Sequence, residues 1–558
     1  MPTISIDPFD FQDLLGFKID EQALADQLDL VKGEFKGQDP DGLWRVELSD
    51  TNRPDLWSAE GIARQLRASR GRLRDYPFFE GQPAGEILVD GAMREIRPYV
   101  AAFLVRGIEV TDRGLIQLIQ TQEKLAESYG SRRRDVAIGV YNVQRIHMPV
   151  SYKSVEPTAH SYIPLGFDEP MTLAEILERH PKGIEYRSIL EGLDRLPLLI
   201  DRAGLTLSMP PIINSRELGE VVPGDSDLFV EATGHDLAKV VLALNIMACD
   251  LADRGGRIER VRTVYPYSTP FGSQVDVPLR LDMGLSIPVS EFSRLLGVEV
   301  TAVEVDNVLE CYGCDVRREG DLILVQPPPT RADYLHPVDV IEDFAITRGY
   351  ETFEPRLPRD FTPGRPAELS LLEDKVRDSM IGMGYEEIIS NILLAREQIR
   401  DRMCIDPGQA AVEVDNVMNA NYAVLRDSLL PCLLRVESSS AGAAYPHRLF
   451  EAGEVALFDR GASHGSRTRL HLAALLAWGE VTVSEAHADL DFLLSTLGVE
   501  WELEEASHPT FLSGRAAEVR LAGSSRPIGW LGEIHPEVLE RWEIGVPVAG
   551  FEIELDAL

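Results

Sequence analysis

Three carboxylates are spaced so that they share one face of a predicted helix. The helix is expected to begin at Pro337, because proline is favoured in the first helical turn, and Asp339, Glu342 and Asp343 then stand three and four residues apart. Asp333, in the preceding loop, can fold back onto the same face. Like charges at this spacing repel by about 0.2–0.5 kcal/mol per pair, and a hard cation with oxygen ligands reverses the sign. The pattern permits a Mg²⁺ site, but the helix dipole alone also favours acids near a helix N-terminus.

Arginine is concentrated in two segments. Residues 53–74 contain six arginines, and residues 132–134 are three consecutive arginines. Because guanidinium groups bind phosphate oxygens through two parallel hydrogen bonds, the first segment can contact phosphates and the second can line a pocket for an anionic or RNA-linked substrate. Solvated arginines that pair with neighbouring acids are the alternative for both segments.

Other motifs indicate little chemistry. Cys311 and Cys314 have the spacing of half a zinc site or a redox pair, but no second Cys or His pair lies at a suitable distance, so core thiols explain them better. The sequence contains no glycine-rich phosphate loop, no His-Glu-x-x-His and no Gly-x-Ser-x-Gly. A self-contained nucleotide or hydrolase signature is therefore absent from the sequence.

Length and composition indicate a large globular protein. At roughly 150 residues per domain, 558 residues predict three or four domains. The net charge of −36, from 55 Lys and Arg against 91 Asp and Glu, excludes indiscriminate phosphate binding over the whole surface. Five cysteines, no visible secretory signal and apolar stretches about half as long as a membrane helix favour a soluble protein of the reducing cytoplasm, with no membrane partner.

Alternating strand and helix signals predict a mixed domain over residues 86–265. Strands are expected at 99–110 and 134–143, and helices at 112–130, capped by Asp112, and at 235–254. A mixed α+β domain of this size is large enough to contain a pocket.

Two further regions follow. Between 266 and 355, two short helices at 286–296 and 302–312, a strand at 322–325 and the helix from Pro337 predict a winged or helix-turn-helix-like module. From 356 onward, Ser370 and Glu373 have the spacing of a capping box, and mostly antiparallel strands are expected. These strands are predicted at 386–394, 448–458, 516–521 and 548–555.

Six segments in order resemble the β subunits of phenylalanyl-tRNA synthetases, in their shorter archaeal and eukaryotic-type form. The matching segments are residues 52–64, 210–215, 331–350, 426–431, 450–453 and 529–536. Six segments in the family's order are far more specific than any one of them.

The resemblance implies an α+β multidomain fold of four parts. These are an N-terminal module at 1–85, a B3/B4 editing domain at 86–265, a helix-turn-helix-like B5 domain at 266–355, and a degenerate class II synthetase-like antiparallel core at 356–558. It also implies that Asp333, Asp339, Glu342 and Asp343 occupy the Mg²⁺-binding positions of B5.

The editing domain of this family hydrolyses tyrosine that is wrongly attached to the tRNA. A phenylalanine pocket cannot strongly reject an analogue that only adds a hydroxyl, so a second site must hydrogen-bond that group. Six polar residues are the candidates for this pocket, and Glu231 among them stands where the family's shorter aspartate is expected. The six are Gln122, Lys124, Arg134, Ser208, Asn214 and Glu231.

The C-terminal region lacks the late arginine, in a glycine-rich strand-helix motif, with which class II synthetases grip ATP. We therefore expect a separate α subunit to bind ATP and phenylalanine, in an α2β2 heterotetramer that charges tRNA(Phe), and we assign no catalytic residue in this chain. Two alternatives stay open: a free-standing aminoacyl-tRNA deacylase, and a nucleic-acid-binding scaffold without catalysis.

Overall fold

The chain forms two compact units, Met1–Arg356 and Leu357–Leu558. This is a computed structural model, and it describes residues 2–49, 52–358, 360–440 and 442–558. Within these ranges, no helix has both the length and the apolar character that are needed to cross a membrane.

The first unit begins with a three-stranded antiparallel sheet, in the order β1-β3-β2, and three helices. Its elements are β1 (Thr3–Ile6), α1 (Pro8–Leu15), α2 (Glu21–Gln27), β2 (Gly33–Gln38), β3 (Trp44–Leu48) and α3 (Ala59–Ala68). Ser58 caps α3 by accepting a hydrogen bond from the Gly61 amide at 2.9 Å, as the sequence predicts for this position.

A ten-stranded mixed sheet forms the centre of the first unit, in the order β12-β11-β10-β7-β4-β14-β5-β13-β6, with β15 paired to β14. The elements are β4 (Pro83–Val89), β5 (Tyr99–Arg106), α4 (Asp112–Lys124), β6 (Val136–Asn142), β7 (Val150–Val155), β8 (Ser161–Tyr162), β9 (Met171–Thr172), α5 (Leu173–Arg179), α6 (Pro181–Tyr186), β10 (Leu196–Ile200), β11 (Thr206–Met209), β12 (Ile213–Asn214), α7 (Arg216–Gly219), β13 (Leu228–Gly234), α8 (Leu237–Asp253), β14 (Arg257–Val264) and β15 (Gln274–Val277).

The apolar runs of this region explain why the helix α8 packs on the sheet. Every residue of β13 is buried, and α8 packs against β5 and β13 with nearly its whole surface buried. The predicted strands at 99–110 and 134–143 and the predicted helix at 235–254 are confirmed as β5, β6 and α8. In α4 the cap is Thr111 rather than Asp112, and the regular helix ends at Lys124 before a wider π-helical turn over Leu125–Tyr129.

The first unit ends in a small helical module with its own antiparallel sheet, in the order β16-β18-β17. The predicted helices and strand are present, but residues 285–288 form a strand because they pair with β18. Phe292 and Phe344 form an edge-to-face pair in its core, with ring centroids 5.5 Å apart. The elements are β16 (Leu285–Pro288), α9 (Val289–Leu296), α10 (Ala302–Cys311), β17 (Asp315–Glu319), β18 (Leu322–Gln326) and α11 (Pro337–Arg348).

The second unit is built on a seven-stranded sheet in the order β19-β22-β23-β27-β26-β25-β24, which is antiparallel except for the β19–β22 pair. Its elements are α12 (Glu368–Gly382), β19 (Glu386–Glu387), β20 (Leu393–Leu394), α13 (Arg396–Ile399), β21 (Val424–Leu425), α14 (Leu430–Ser439), β22 (His447–Phe458), β23 (Ser466–Ala477), α15 (Val483–Leu497), β24 (Trp501–Glu505), β25 (Phe511–Leu521), β26 (Pro527–Ile534), α16 (Pro536–Arg541) and β27 (Val548–Glu554).

Two predictions for the second unit are wrong. The helix α12 already begins at Glu368, so Ser370 lies inside it, and Glu373 pairs with Arg377 instead of closing a capping box. The predicted strand at 386–394 is interrupted between β19 and β20, where Ser390 leaves the sheet and binds Glu451 through both its amide and its hydroxyl.

Candidate functional site

A small polar cavity lies in the first unit beside β6, β11 and β13. Its volume is about 150 Å³, below the roughly 300–1,000 Å³ of pockets for drug-sized ligands. Four of the six residues predicted for a pocket lie in its lining: Gln122, Ser208, Asn214 and Glu231. The cavity is therefore sized for a single side chain rather than a whole nucleotide.

Glu231 is the dominant group of the cavity. It is 3% exposed, its Oε1 accepts a hydrogen bond of 2.9 Å from Tyr141 Oη, and its Oε2 is buried without a partner among the described residues. Burial raises the pKa of Glu231 to about 7, although the hydrogen bond from Tyr141 opposes this shift. At neutral pH the carboxyl group is thus partly protonated and can either donate or accept a hydrogen bond.

Two more polar groups, Asn214 and Ser208, lie in the cavity lining with Glu231. Asn214 Oδ1 lies 3.2 Å from Tyr141 Oη, which has one proton and can give it either to Asn214 or to Glu231. Ser208 Oγ is buried and makes no full hydrogen bond within the described part of the chain, although it lies near enough to Tyr141 to oppose the rise that burial causes in the pKa of that phenol. Because buried polar atoms are nearly always paired, the free atoms of Ser208 and Glu231 are suited to bind a polar group in the cavity, from an ordered water or from a ligand.

Gly139 leaves space for these groups. It lies opposite Glu231 in the β6–β13 register. A Cβ atom at Gly139 would lie 2.5 Å from Glu231 Oε1 and would collide with Tyr141 Oη. Sequence reasoning missed both Gly139 and Tyr141, because neither belongs to a recognisable motif.

The structure places two predicted pocket residues elsewhere. Lys124 lies outside the lining, and so does Arg134, whose side chain is exposed. Three successive positive φ angles, from Ser131 to Arg133, turn the chain so that Arg133 lines the cavity instead. Arg133 donates to the carbonyl oxygen of Ile212 at 3.0 Å.

The acidic helix α11 does not present four free carboxylates. The guanidinium group of Arg331 lies between Asp333 and Asp343, and both ion pairs measure 2.6 Å. Asp343 also accepts a hydrogen bond of 2.5 Å from Tyr334. The Arg331 side chain is only 2% exposed, so a buried protein cation already pairs with both carboxylates.

The other two acids of α11 have separate roles. Asp339 accepts hydrogen bonds from the amides of Leu335 and His336 and so caps the helix. Glu342 pairs with Lys32 at 2.7 Å and keeps 47% of its side chain exposed. Among the described residues, no three His, Cys, Asp or Glu side chains are grouped to hold a metal ion, so the four carboxylates do not fit Mg²⁺ as one common ligand set.

A second cavity, of about 280 Å³, lies in the second unit beside the start of α14. The Glu552 carboxylate accepts hydrogen bonds from the amides of Leu429 and Leu430 at this helix end. It thereby takes up the amides of a helix N-terminus, where anions such as phosphate are commonly bound. Arg400 also lines the cavity, but it is 1% exposed and pairs with Asp427 at 2.6 Å. Its positive charge is therefore already balanced by Asp427.

Family comparisons agree with this two-unit arrangement. The family described as "tRNA synthetase B5 domain" matches residues 285–350, and the family described as "Phenylalanyl tRNA synthetase beta chain CLM domain" matches residues 354–555. An N-terminal fragment of the phenylalanyl-tRNA synthetase beta-subunit from Pyrococcus horikoshii superimposes with a TM-score of 0.59 at 36% identity, and the match covers 62% of this chain and 100% of the fragment.

Similar sequences extend over the full length. The chain is 39% identical over 568 residues to the phenylalanine-tRNA ligase beta subunit of Borrelia garinii subsp. bavariensis, and 37% identical over 575 residues to that of the archaeon Thermococcus gammatolerans. Each match covers 100% of this chain and 99% of the relative. The chain therefore belongs to the family of phenylalanine-tRNA ligase beta subunits.

Proposed function

We propose that this chain supports the charging of tRNA(Phe) by a separate α subunit and hydrolyses tRNA(Phe) that carries tyrosine. The observation that carries the editing role is the pair of uncommitted buried atoms, Ser208 Oγ and Glu231 Oε2, in a cavity of side-chain size.

The hydroxyl group of tyrosine supplies what these atoms lack. A phenolic hydroxyl can donate to Glu231 and accept from Ser208, whereas phenylalanine in the same place leaves both atoms unpaired. A site built to hydrogen-bond a hydroxyl rejects the analogue without it by factors of about 10⁴–10⁵. The cavity thus favours tyrosine over phenylalanine, as the selective hydrolysis of Tyr-tRNA(Phe) requires.

The cavity of the second unit supports the division of labour. Its helix N-terminus is filled by Glu552, and its arginine, Arg400, is paired with Asp427, so the triphosphate of ATP would meet carboxylates instead of free cations. We propose that ATP and phenylalanine are bound by the α subunit, in a cytoplasmic α2β2 assembly.

The geometry favours only two of the four carboxylates that were predicted as Mg²⁺ ligands. Asp333 and Asp343 are committed to Arg331. Asp339 is half-buried at the start of α11, and Glu342 is exposed and would exchange its pair with Lys32 for the cation. We propose that these two carboxylates hold a largely hydrated Mg²⁺, which would add positive charge to an acidic surface, while the other two stabilise the module through Arg331.

The editing role is tested with Ser208→Ala in the assembled complex. The change removes a hydroxyl that has no described partner, so the fold should be retained, while deacylation of preformed Tyr-tRNA(Phe) should fall about tenfold. Ser128→Ala, at an exposed position, is the matched control. Unchanged deacylation by Ser208→Ala would contradict a role of this cavity in the editing reaction. Full deacylation by the chain without the α subunit would favour a free-standing deacylase.

A further inference from the structure

A buried arginine contacts the lining of the editing cavity, the cavity of about 150 Å³ around Glu231. Arg97 is 1% exposed, and none of the described carboxylates forms an ion pair with its guanidinium group. Burial lowers the pKa of Arg97 to about 10. Charges in a protein interior are normally paired, because desolvation of a lone ion is unfavourable. A cation that is kept in spite of this cost indicates a role beyond packing.

The donors of Arg97 go to neutral oxygens of two separate segments. On β13, Thr233 accepts from Nε through its hydroxyl at 2.8 Å and from Nη2 through its carbonyl at 2.6 Å. On the turn that precedes β6, the carbonyl oxygen of Arg134 accepts from Nη1 at 2.9 Å, and that of Arg133 accepts from Nη2 at 3.1 Å. Because the guanidinium group is planar and its donors have fixed directions, it holds the strand and the turn at a fixed separation.

Both segments contribute to the editing cavity. Thr233 and Glu231 lie two positions apart on β13, so their side chains point to the same face of the sheet, and both line the cavity. Arg133 lines the cavity from the turn, and its Nη2 atom has no acceptor among the described residues. Arg97 thus connects the residue with this free donor to the strand with the free oxygen of Glu231.

The turn that carries Arg133 needs such a connection. Ser131, Arg132 and Arg133 have φ angles of 52°, 56° and 64°, in the left-handed region that residues with a Cβ atom rarely adopt. The Arg133 amide donates to the carbonyl oxygen of Ala126 at 2.8 Å, which holds one side of the turn. Arg97 binds the carbonyl oxygens on the other side and so stabilises the strained conformation.

We propose that Arg97 is a positioning residue of the deacylation reaction, which holds Arg133 in place relative to Glu231 in the editing cavity. Arg133 offers its free donor to an oxygen atom of the bound aminoacyl group, whereas Arg97 does not touch the ligand. The inference rests on the proposed proofreading function. A lysine in place of Arg97 would keep the charge, but its single nitrogen cannot bind both segments in the same geometry.

The test compares single and double variants of the assembled complex, with preformed Tyr-tRNA(Phe) as the substrate. Arg97→Lys and Arg133→Met should each lower deacylation about tenfold. The double variant should lose no more than Arg133→Met alone, because Arg97 acts through Arg133. The two single variants should also divide the loss between kcat and KM in the same way, since both remove the same contact, whereas a loss of folded protein would lower only kcat.

Arg260→Lys is the matched control. Arg260 lies on β14 of the same sheet and also donates to three carbonyl oxygens, at 2.8–3.1 Å. These belong to Gly81, Asp276 and Pro278, which lie outside the cavity lining. Arg260→Lys should therefore deacylate Tyr-tRNA(Phe) at the wild-type rate.

A second variant removes one contact of Arg97 without changing Arg97 itself. Thr233→Val keeps the shape of the side chain and removes the hydroxyl that accepts from Nε. It should lower deacylation when Arg133 is present and cause no further loss in Arg133→Met. This variant is scored in place of Arg97→Lys if the lysine variant also lowers phenylalanylation by the complex.

Two results overturn the inference. One is deacylation by Arg97→Lys at the rate of Arg260→Lys, and the other is a double variant whose losses multiply to about a hundredfold, because independent losses indicate a general structural role. Ser208→Ala in the same assay separates this inference from the proposed function. Unchanged deacylation by Ser208→Ala contradicts the proposed role of the cavity, whereas an impaired Ser208→Ala with an unimpaired Arg97→Lys contradicts only the inference about Arg97.

Discussion

Tyr141 Oη lies 2.9 Å from Glu231 Oε1 across two neighbouring strands, and this contact leaves Oε2 of the same carboxyl group free. Tyr141 thereby fixes the orientation of Glu231 while the second oxygen stays available to a ligand. The longer side chain of glutamate, in place of an expected aspartate, is accommodated because Gly139 opposite has no Cβ.

Glu231 should make stability depend on pH. Its pKa is raised to about 7 by burial, so between about pH 4.5 and 7 the folded state holds a proton that the unfolded state releases. Relative to Glu231→Gln, wild type should therefore lose on the order of 3 kcal/mol of unfolding free energy as the pH rises through this range. Denaturant unfolding of both proteins at several pH values measures the difference, and a pH-independent difference would contradict the assignment.

Gly139→Ala should close the editing cavity without touching the charging reaction. The new Cβ would force Glu231 and Tyr141 to move, and Glu231 lines the cavity in an orientation that Tyr141 fixes through its hydrogen bond. Deacylation of Tyr-tRNA(Phe) should drop by about tenfold or more, while phenylalanylation by the complex stays at the wild-type rate. Gly91→Ala, at an exposed glycine without a positive φ where a Cβ would meet nothing closer than 3.9 Å, tests whether an added methyl group is harmful by itself.

Arg331 should be essential to the stability of the first unit. Arg331→Met leaves Asp333 and Asp343 buried without their cation, which typically costs about 3–5 kcal/mol. Chemical denaturation at pH 7 measures the loss, and it should shrink at pH 5 as a carboxylate takes up a proton. The exposed pair of Arg317 with Asp315 supplies the control, since Arg317→Met should change stability by about 0.5 kcal/mol or less.

The chain alone should not activate phenylalanine. Because Glu552 occupies the start of α14, wild type given ATP and phenylalanine should show no pyrophosphate exchange. Glu552→Gln should also remain inactive, because Arg400 stays bound to Asp427. Exchange above background by the isolated chain would refute the division of labour between the subunits.

Mg²⁺ binding should depend on Asp339 and Glu342, the two acids of α11 that are not paired with Arg331. Asp339→Asn and Glu342→Gln together should lower Mg²⁺ affinity in calorimetric titration of the full chain, by about tenfold. Asp306→Asn, which changes a carboxylate of α10 that pairs with Arg318, is the control. Equal Mg²⁺ affinity in all three proteins would remove Asp339 and Glu342 as ligands.

Local sequence patterns were sufficient to predict several helices and strands and several members of the site. The start of α11 at Pro337 follows from local preference, and the identity of β5 and α8 follows from their apolar runs. Ser208 and Asn214 were predicted for the cavity through the family resemblance, and the structure brings them together.

Which side chains meet became visible only in the folded chain. Arg133 replaces Arg134 in the cavity because three positive φ angles reorient the turn, and no sequence pattern encodes this. Helical spacing places Asp339, Glu342 and Asp343 on one side, but it says nothing of Arg331, which folds back from the loop and binds Asp343. Contacts between residues distant in the chain depend on packing, and packing chooses partners by space and charge rather than by sequence position.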